Sequence, residues 1–206
     1  MEYVLVIITS YLIGSIPNGL IIGQYFYKVD LRQFGSKNIG ATNAYRTLGP
    51  RPAFWVFLTD ALKGVAGVLL GQYIAGTALA ELAGGIGAIA GHNWSAFLKF
   101  KGGRGVATGL GVIAMIAPKV TLIVFGVWAI IVYFTRYVSL ASIVAAALVP
   151  ISMWLLHARQ EFFYFGILAA LFVIVRHRPN IERLLKGDEP KIKAGGTPES
   201  GPEKEK

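Results

Sequence analysis

Seven apolar stretches alternate with short polar segments along the chain. A helix needs about 20 apolar residues, with a range of roughly 17–25, to cross the hydrocarbon core of a bilayer. Four stretches have this length: residues 3–26, 52–74, 78–98 and 138–156. Three shorter stretches suit helices that cross a thinned bilayer or pack inside a bundle: residues 106–117, 120–134 and 162–175. The pattern therefore predicts an all-α, polytopic membrane helix bundle and not a soluble globular domain.

Residues 106–134 could form one long tilted helix or two short helices that meet at Pro118 and Lys119. The basic residues distinguish these alternatives, because Lys and Arg concentrate in cytoplasmic loops. With two helices, 17 of the 20 Lys and Arg residues fall on one side of the membrane, whereas one helix would place the basic segment 176–193 outside. We therefore predict seven transmembrane helices, with the N-terminus outside and the C-terminus in the cytoplasm.

A single membrane-embedded domain is expected to comprise residues 1–193. The first apolar stretch has neither the basic start nor the cleavage site of a signal peptide, so we count it as a span. From residue 186 the chain becomes polar and rich in Gly, Pro, Lys and Glu. Such a composition does not bury a core, so residues 194–206 are predicted to form a disordered polar tail.

Composition narrows the functional classes. Of the 206 residues, 54% are hydrophobic and 15% are charged, against roughly 25% charged in an average soluble chain. The net charge of +9 lies in short segments between apolar runs, which argues against a nucleic-acid partner. The chain has no Cys, so disulfides and thiol nucleophiles are excluded. No cluster of Asp or Glu lies near the basic segments, and we expect neither a metal nor a cofactor.

The first polar motif spans residues 34–49 and combines glycines with small polar side chains. Glycines let successive backbone N–H groups converge on an anion, and an Arg can bind a phosphate with two hydrogen bonds. An ordinary polar loop that caps the next helix is the alternative, although capping needs fewer such residues. We expect phosphate binding by Ser36, Asn38, Gly40, Thr42, Asn43 and Arg46.

The second motif spans residues 91–108. Gly102, Gly103 and Arg104 precede a predicted helix, whose N-terminus would add a positive dipole to a phosphate cradle. The spacing is not that of a Walker loop. Lys101 joins this group of phosphate-binding candidates, although the positive-inside rule explains it equally well. His92 lies inside the membrane edge and could be either a hydrogen-bonded packing residue or part of the site.

The third motif spans residues 176–187, at the mouth of the last span. A collar of charges would explain its Arg residues but explains His177 and Asn180 poorly. Three such motifs on one side of a bundle predict one site that holds more than one phosphate and faces the lipid. Within the second span, Asp60 and Lys63 lie three residues apart on one helix face, and we favour a structural ion pair for them.

Together the motifs resemble the bacterial acyl-phosphate-dependent glycerol-3-phosphate acyltransferases. The resemblance runs from the first span to Gly187, nearly the whole chain apart from the tail. Two positions depart from the usual pattern of that family: Lys37 stands where Gly is common, and Arg104 stands where Lys is common. Arg keeps the charge and changes the donor geometry. The matching motifs occupy residues 35–46, 60–64, 91–92, 100–108 and 176–184.

The resemblance implies a reaction. A fatty acyl group would move from acyl-phosphate to the 1-hydroxyl of sn-glycerol 3-phosphate, giving 1-acylglycerol 3-phosphate (lysophosphatidic acid) and inorganic phosphate, an early step of phospholipid synthesis. The expected location is the bacterial cytoplasmic (inner) membrane, with the active site facing the cytoplasm. A functional hand-over with the enzymes that form acyl-phosphate and add the second acyl group would fit this place. The implied catalytic residues are His177, Asn180, Ser36 and Arg46, and phosphate binding extends to Ser139, Ser142 and Arg183.

The expected chemistry needs alignment of two anions that repel each other and cationic donors that offset their charge. His177 or an oxygen of the acyl-phosphate could take the hydroxyl proton. A phosphate-coupled transporter is one alternative, but the polar motifs lie at one surface and we find no internal repeat. Another acyltransferase mechanism could pair His177 with Glu182, the only acid we expect nearby. Residues five apart lie about 140° apart on a helix, and Pro179 intervenes.

Overall fold

The computed structural model describes residues 1–192, so the predicted polar tail lies outside the described residues. The described part is helical, without a β-strand, which confirms the all-α prediction. Its α-helices are α1 (Glu2–Ser15), α2 (Asn18–Ile21), α3 (Ala41–Leu48), α4 (Pro50–Ala75), α5 (Ala78–Asn93), α6 (Val106–Ile116), α7 (Pro118–Thr135), α8 (Val138–Leu155), α9 (Gln160–Arg176) and α10 (Arg178–Lys186). A π-helical turn (Ile22–Phe26) follows α2, and a 3-10 turn (Ala96–Leu98) follows α5.

Each of the seven predicted apolar stretches contains a helix, and the predicted break at Pro118 is present. The third stretch, predicted at residues 78–98, is shorter than expected, because α5 ends at Asn93 after 16 residues. α6 ends at Ile116 and α7 begins at Pro118, where proline fits because the first turn of a helix does not use that N–H. The first stretch differs from the prediction, because α1 and α2 are separated at Ile16 and Pro17. Pro17 lacks the N–H that would continue the hydrogen-bond ladder of α1.

Four helical stretches of the described chain are long and apolar enough to cross a membrane: Glu2–Phe26, Pro50–Ala75, Pro118–Thr135 and Val138–Leu155. A fifth is present if α9 and α10, which meet at 55°, form one bent span. The apolar helix α6 has only 11 residues. By length and composition, residues 1–192 therefore provide four or five candidate spans.

The outer surface of these helices is apolar. The side chain of Leu122 on α7 is 76% exposed, and that of Leu168 on α9 is 66% exposed. Apolar surface of this kind is unfavourable in water, but the acyl chains of a bilayer match it. The exposed side chains therefore fit a lipid-facing surface.

The helices pack in two groups, one of α1, α4, α5 and α6, the other of α7, α8 and α9. Small residues allow close helix contacts in membrane bundles. Where α4 meets α5, a Cβ at Gly67 would collide with the backbone of Gly84. An apolar core around Val112, Val149 and Met153 joins the two groups.

The polar segments between the helices meet at one end of the bundle. Arg176 at the end of α9 donates a hydrogen bond from Nη2 to the carbonyl of Gly103 (2.8 Å). Arg46 on α3 donates from Nη2 to the carbonyl of Pro190 (2.8 Å). Residues distant in sequence, from all three motifs, are thereby brought together.

Candidate active site

One cavity of about 760 Å³ opens between the helices, a size typical of small-molecule sites. Its polar lining comes from all three sequence motifs, from α4 and α8, and from Glu189. The predicted site residues that line it are Ser36, Asn38, Gly40, Thr42, Asn43, Arg46, Asp60, His92, Arg104, Ser139, Ser142, His177 and Asn180. Lys63, Lys101, Gly102, Gly103 and Arg183 are not part of this lining.

Asn43 shapes the first motif from inside. It is buried, its Oδ1 accepts a hydrogen bond from the amide of Ser36 (2.8 Å), and its Nδ2 donates to the carbonyls of Leu31 (2.9 Å) and Asn38 (2.7 Å). Because its amide is used within its own loop, Asn43 supports the donors of the motif and does not itself offer Nδ2 to a ligand. This differs from the direct phosphate contact that we expected.

The remaining residues of the first motif stand on this scaffold. Asn38 Oδ1 accepts a hydrogen bond from the amide of Gly40 (2.8 Å) and so fixes the turn that precedes α3. Ser36 precedes that turn, and Thr42 and Arg46 lie on α3 itself. Both hydroxyls and the guanidinium therefore reach the cavity from a short, internally braced segment.

The glycines of the second motif bring the loop against the end of α5. The amide of Gly102 donates to the carbonyl of Asn93 (3.0 Å), and that of Gly103 donates to the carbonyl of His92 (3.0 Å). A Cβ on either glycine would collide with these residues. The expected cradle of free N–H groups is thus corrected: these two amides are used for packing, and the glycines allow the close approach.

Arg104 is the cationic group that this loop presents to the cavity. Burial lowers its pKa from the ordinary value, the neighbouring carboxylate of Glu189 opposes that effect, and nearby guanidinium groups reinforce it. An arginine still remains protonated at neutral pH. Lys101, by contrast, is exposed at the surface of the loop. The guanidinium groups around Arg104 are those of Arg183, Arg46 and Arg176.

His177 lies between α9 and α10, where the chain bends by 55°. Its Nδ1 is 2.8 Å from the carbonyl oxygen of Val173. A carbonyl only accepts, so Nδ1 carries the proton and Nε2 has a free lone pair. Burial lowers the pKa of His177 to about 4 against the effect of this hydrogen bond. The imidazole is therefore neutral at pH 7 and offers an acceptor to the cavity.

Glu189 is the site residue that the sequence did not reveal. It is 5% exposed and accepts hydrogen bonds from Ser139 Oγ, Asn180 Nδ2 and Arg183 Nε, each at 2.7 Å. Burial alone would raise its pKa, but these three hydrogen bonds outweigh burial and hold the pKa below its ordinary value. Glu189 is thus a carboxylate that orders three of our candidates. Glu189 follows a helix and precedes Pro190, as a linker residue would, so the sequence did not indicate a role in the site.

Glu182 does not take part in the site. Its carboxylate pairs with Arg178 at 3.1 Å on the exposed side of α10. The alternative mechanism that paired His177 with Glu182 is therefore wrong. The acid close to His177 is Glu189.

The predicted ion pair in α4 is present and buried. Asp60 Oδ1 lies 2.8 Å from Lys63 Nζ and 3.6 Å from His92 Nδ1. Lys63 also donates to the carbonyl of Ile16, at the break between α1 and α2. The group therefore fastens α4 to α5 and to the interrupted first span, as a structural ion pair does.

Another part of the cavity lining is apolar and aromatic. The rings of Phe125 and Trp128 stack at 5.7 Å, and Phe57 lies 6.4 Å from Phe125. Ser142 is near this part, where its hydroxyl donates to the carbonyl of Val138 (2.8 Å) and accepts from Trp128 Nε1 (3.2 Å). A ligand with an anionic head and an apolar chain matches such a lining. Within residues 1–192, no group of three or more His, Asp or Glu side chains could hold a metal ion.

The sequence profile of glycerol-3-phosphate acyltransferases matches residues 4–187 of the chain. Glycerol-3-phosphate acyltransferase 2 of Moorella thermoacetica is 49% identical over 190 residues, which cover 92% of this chain and 97% of that protein. Glycerol-3-phosphate acyltransferase of Fusobacterium nucleatum is 44% identical over 193 residues, which cover 94% and 100%.

Two crystal structures have the same fold. One is PlsY, an integral membrane glycerol 3-phosphate acyltransferase, in its glycerol 3-phosphate form, with a TM-score of 0.88 and 38% identity over 94% of this chain and 96% of that one. The lysophosphatidic acid form of PlsY has a TM-score of 0.86 and 37% identity over 93% and 95%.

Proposed function

Because the chain belongs to the glycerol-3-phosphate acyltransferase family, we propose that it transfers a fatty acyl group from acyl-phosphate to the 1-hydroxyl of sn-glycerol 3-phosphate. The products are 1-acylglycerol 3-phosphate and inorganic phosphate. Because the chain belongs to an acyltransferase family, we set aside the alternative hypothesis of a phosphate-coupled transporter. The observation that carries the proposal is one cavity whose lining combines Arg46 and Arg104 with an apolar, aromatic part.

The cations at the polar end suit two phosphate-bearing substrates. Arg46 and Arg104 line the cavity, and Arg176 and Arg183 lie close to Arg104. Guanidinium groups bind phosphate oxygens through charge-assisted hydrogen bonds. Arg46 and Arg104 would hold glycerol 3-phosphate and the phosphate of the donor side by side, and the charges of Arg176 and Arg183 behind them would further reduce the repulsion between the two anions. The acyl chain of the donor would lie against the apolar, aromatic part of the lining.

The transfer itself needs little acid catalysis, since phosphate is a stable leaving group. The 1-hydroxyl oxygen attacks the acyl carbonyl carbon, a C–O ester bond forms, and the bond between that carbon and the phosphate oxygen breaks. The phosphate departs with the bonding electron pair. The hydroxyl proton passes to an oxygen of the departing phosphate, while His177 Nε2 and Asn180 orient the glycerol. Ser36 adds a hydroxyl from the first motif.

An orienting role for His177 follows from its protonation. A general base works best when its pKa is near the operating pH, whereas the pKa of His177 is lowered to about 4. A neutral imidazole with such a pKa accepts a hydrogen bond well and binds a proton poorly. We therefore assign the role of base to the acyl-phosphate.

We also propose seven membrane-embedded helices, with the N-terminus outside, the C-terminus in the cytoplasm, and the site facing the cytoplasm of a bacterial cell. The distribution of Lys and Arg supports this orientation. In this arrangement the donor and the product can enter and leave through the membrane plane. The enzymes that make acyl-phosphate and add the second acyl group would then exchange lipids with it.

The test is an assay of the purified full chain with acyl-phosphate, acyl-CoA and acyl carrier protein as donors, each with glycerol 3-phosphate. We expect lysophosphatidic acid and an equal amount of inorganic phosphate from acyl-phosphate alone. The described residues form little structure outside the helices, so the nucleotide part of acyl-CoA would have few residues to contact. Comparable turnover with acyl-CoA would overturn the donor assignment.

A further inference from the structure

The position of Glu189 dictates which way the amide of Asn180 faces. A carboxylate only accepts hydrogen bonds, so Nδ2 of Asn180 must be the group that faces Glu189, at 2.7 Å. The oxygen of the amide then points elsewhere. Ser139 Oγ donates to the same carboxylate oxygen, Oε1, and Arg183 Nε donates to Oε2, at 2.7 Å each, so Glu189 is itself fixed.

The freed oxygen is buried and lacks a partner. Asn180 is 3% exposed and lines the cavity, and its Oδ1 has no hydrogen-bond partner among the described residues. Buried polar atoms in native proteins are usually paired. An orphaned acceptor on a residue that lines a ligand cavity therefore indicates a donor on the ligand.

Glycerol 3-phosphate brings such donors. Its phosphate matches the arginines, whereas its two hydroxyl groups need acceptors. The cavity offers two acceptors whose orientation is set from behind: Nε2 of His177, fixed by the Val173 carbonyl, and Oδ1 of Asn180, fixed by Glu189. Both of these acceptors suit the hydroxyl donors of glycerol 3-phosphate.

We propose that Glu189 is a positioning residue that holds the Asn180 amide so that its Oδ1 accepts a hydrogen bond from a hydroxyl of glycerol 3-phosphate. The inference rests on the proposed function, since the substrate supplies the hydroxyl. It adds a residue outside the three motifs to the machinery of glycerol recognition.

Two substitutions test this by reversing the polarity of the contact. In Asn180→Asp, two carboxylates face each other. In Glu189→Gln, the new amide oxygen stays with Arg183, so its NH2 group faces Nδ2 of Asn180, and the Asn180 amide must turn its oxygen towards position 189. When the two substitutions are combined, the new amide donates to one oxygen of the new carboxylate. The other oxygen of that carboxylate then faces the substrate as Oδ1 of Asn180 does now. The double variant should therefore recover what each single variant loses.

The readouts are KM and kcat for each substrate, with the melting temperature of every variant. Each single variant should raise KM for glycerol 3-phosphate by about tenfold or more, with KM for acyl-phosphate little changed. The double variant should regain at least about tenfold in kcat/KM over Asn180→Asp. Glu182→Gln, an exposed acid on α10, is the matched control and should leave both KM values unchanged.

Several outcomes would overturn the proposal. One is a double variant whose loss of kcat/KM equals the product of the two single losses. Another is a double variant that recovers its melting temperature but not its kcat/KM. A third is a gain of activity in Glu189→Gln, which would mean that the carboxylate competes with the substrate for Asn180. If Asn180→Asp does not fold, Glu189→Gln alone decides, since equal changes in both KM values would contradict a role in glycerol recognition. A wild-type protein without glycerol 3-phosphate acylation would reject the proposed function, whereas thermal coupling between the two positions would still report their contact.

Discussion

Replacement of His177 distinguishes an orienting imidazole from a general base. Burial is the main cause of its pKa of about 4, opposed by the hydrogen bond to Val173. Among the charged groups nearby, Arg104 and Arg176 disfavour protonation and Glu189 favours it. Across the neutral range the imidazole should therefore remain uncharged.

The magnitude follows from the difference between the folded and unfolded states. A pKa that falls from 6.5 to about 4 corresponds to about 3 kcal/mol, at roughly 1.36 kcal/mol per unit. Between these values the unfolded state binds more protons, so the free energy of unfolding rises with pH. This stability is present above pH 6.5 and is lost as the pH falls towards 4. His177→Gln should remove that part of the pH dependence in thermal unfolding curves recorded in detergent.

Kinetics give the second half of the test. His177→Asn should keep partial activity and the pH profile of the wild type, because an amide can still orient a hydroxyl. Loss of a true general base would cost roughly 10²–10⁴ in rate. His157→Asn is the control, at an exposed position with positive φ that Asn accepts. A wild-type inflection near neutral pH that disappears in His177→Asn would refute the orienting role.

Three further predictions concern binding, topology and metal. Arg46→Ala should lower kcat/KM by about tenfold or more for each charge-assisted hydrogen bond lost, at roughly 1.5–3 kcal/mol per bond. The control Arg178→Ala, which breaks an exposed ion pair, should leave kcat/KM unchanged. Equal effects of the two substitutions would show that Arg46 is not part of the site. A Cys at position 119 should react with an impermeant label from outside intact cells and a Cys at 101 should not, and the opposite result would end the seven-helix arrangement. EDTA should leave activity unchanged, and loss that magnesium restores would contradict a metal-free mechanism.

The helices could be predicted from sequence because each needs only a local signal. Long apolar runs marked them, and Pro118 with Lys119 marked the turn between α6 and α7. The break at Pro17 was harder to predict, because a proline within an apolar run can either kink or interrupt a helix. Only packing against Lys63, which binds the carbonyl exposed at Ile16, distinguishes these outcomes.

The site was harder to predict than the fold, because residue type does not fix the direction of a hydrogen bond. Asn43 and Gly102 are residue types that are common in anion-binding loops, yet their N–H groups donate hydrogen bonds to carbonyls of the protein itself. Glu189 has no local signal, since its partners on α8 and α10 become neighbours only after folding. A carboxylate near a basic motif can therefore act by accepting hydrogen bonds from the polar side chains of the motif and fixing their orientation.

The amphiphilic lining of the cavity bears on how the substrate concentration should be measured. For the proposed reaction, the acyl donor is dissolved in the bilayer, and the aromatic part of the lining around Phe125 and Trp128 would receive it from there. The effective concentration of the donor is then its mole fraction in the membrane, whereas that of glycerol 3-phosphate is its molar concentration in water. Added inert lipid or detergent should act as a diluent of the donor at constant total amount. Surface-dilution kinetics, and not a bulk molar KM, would describe that half of the reaction.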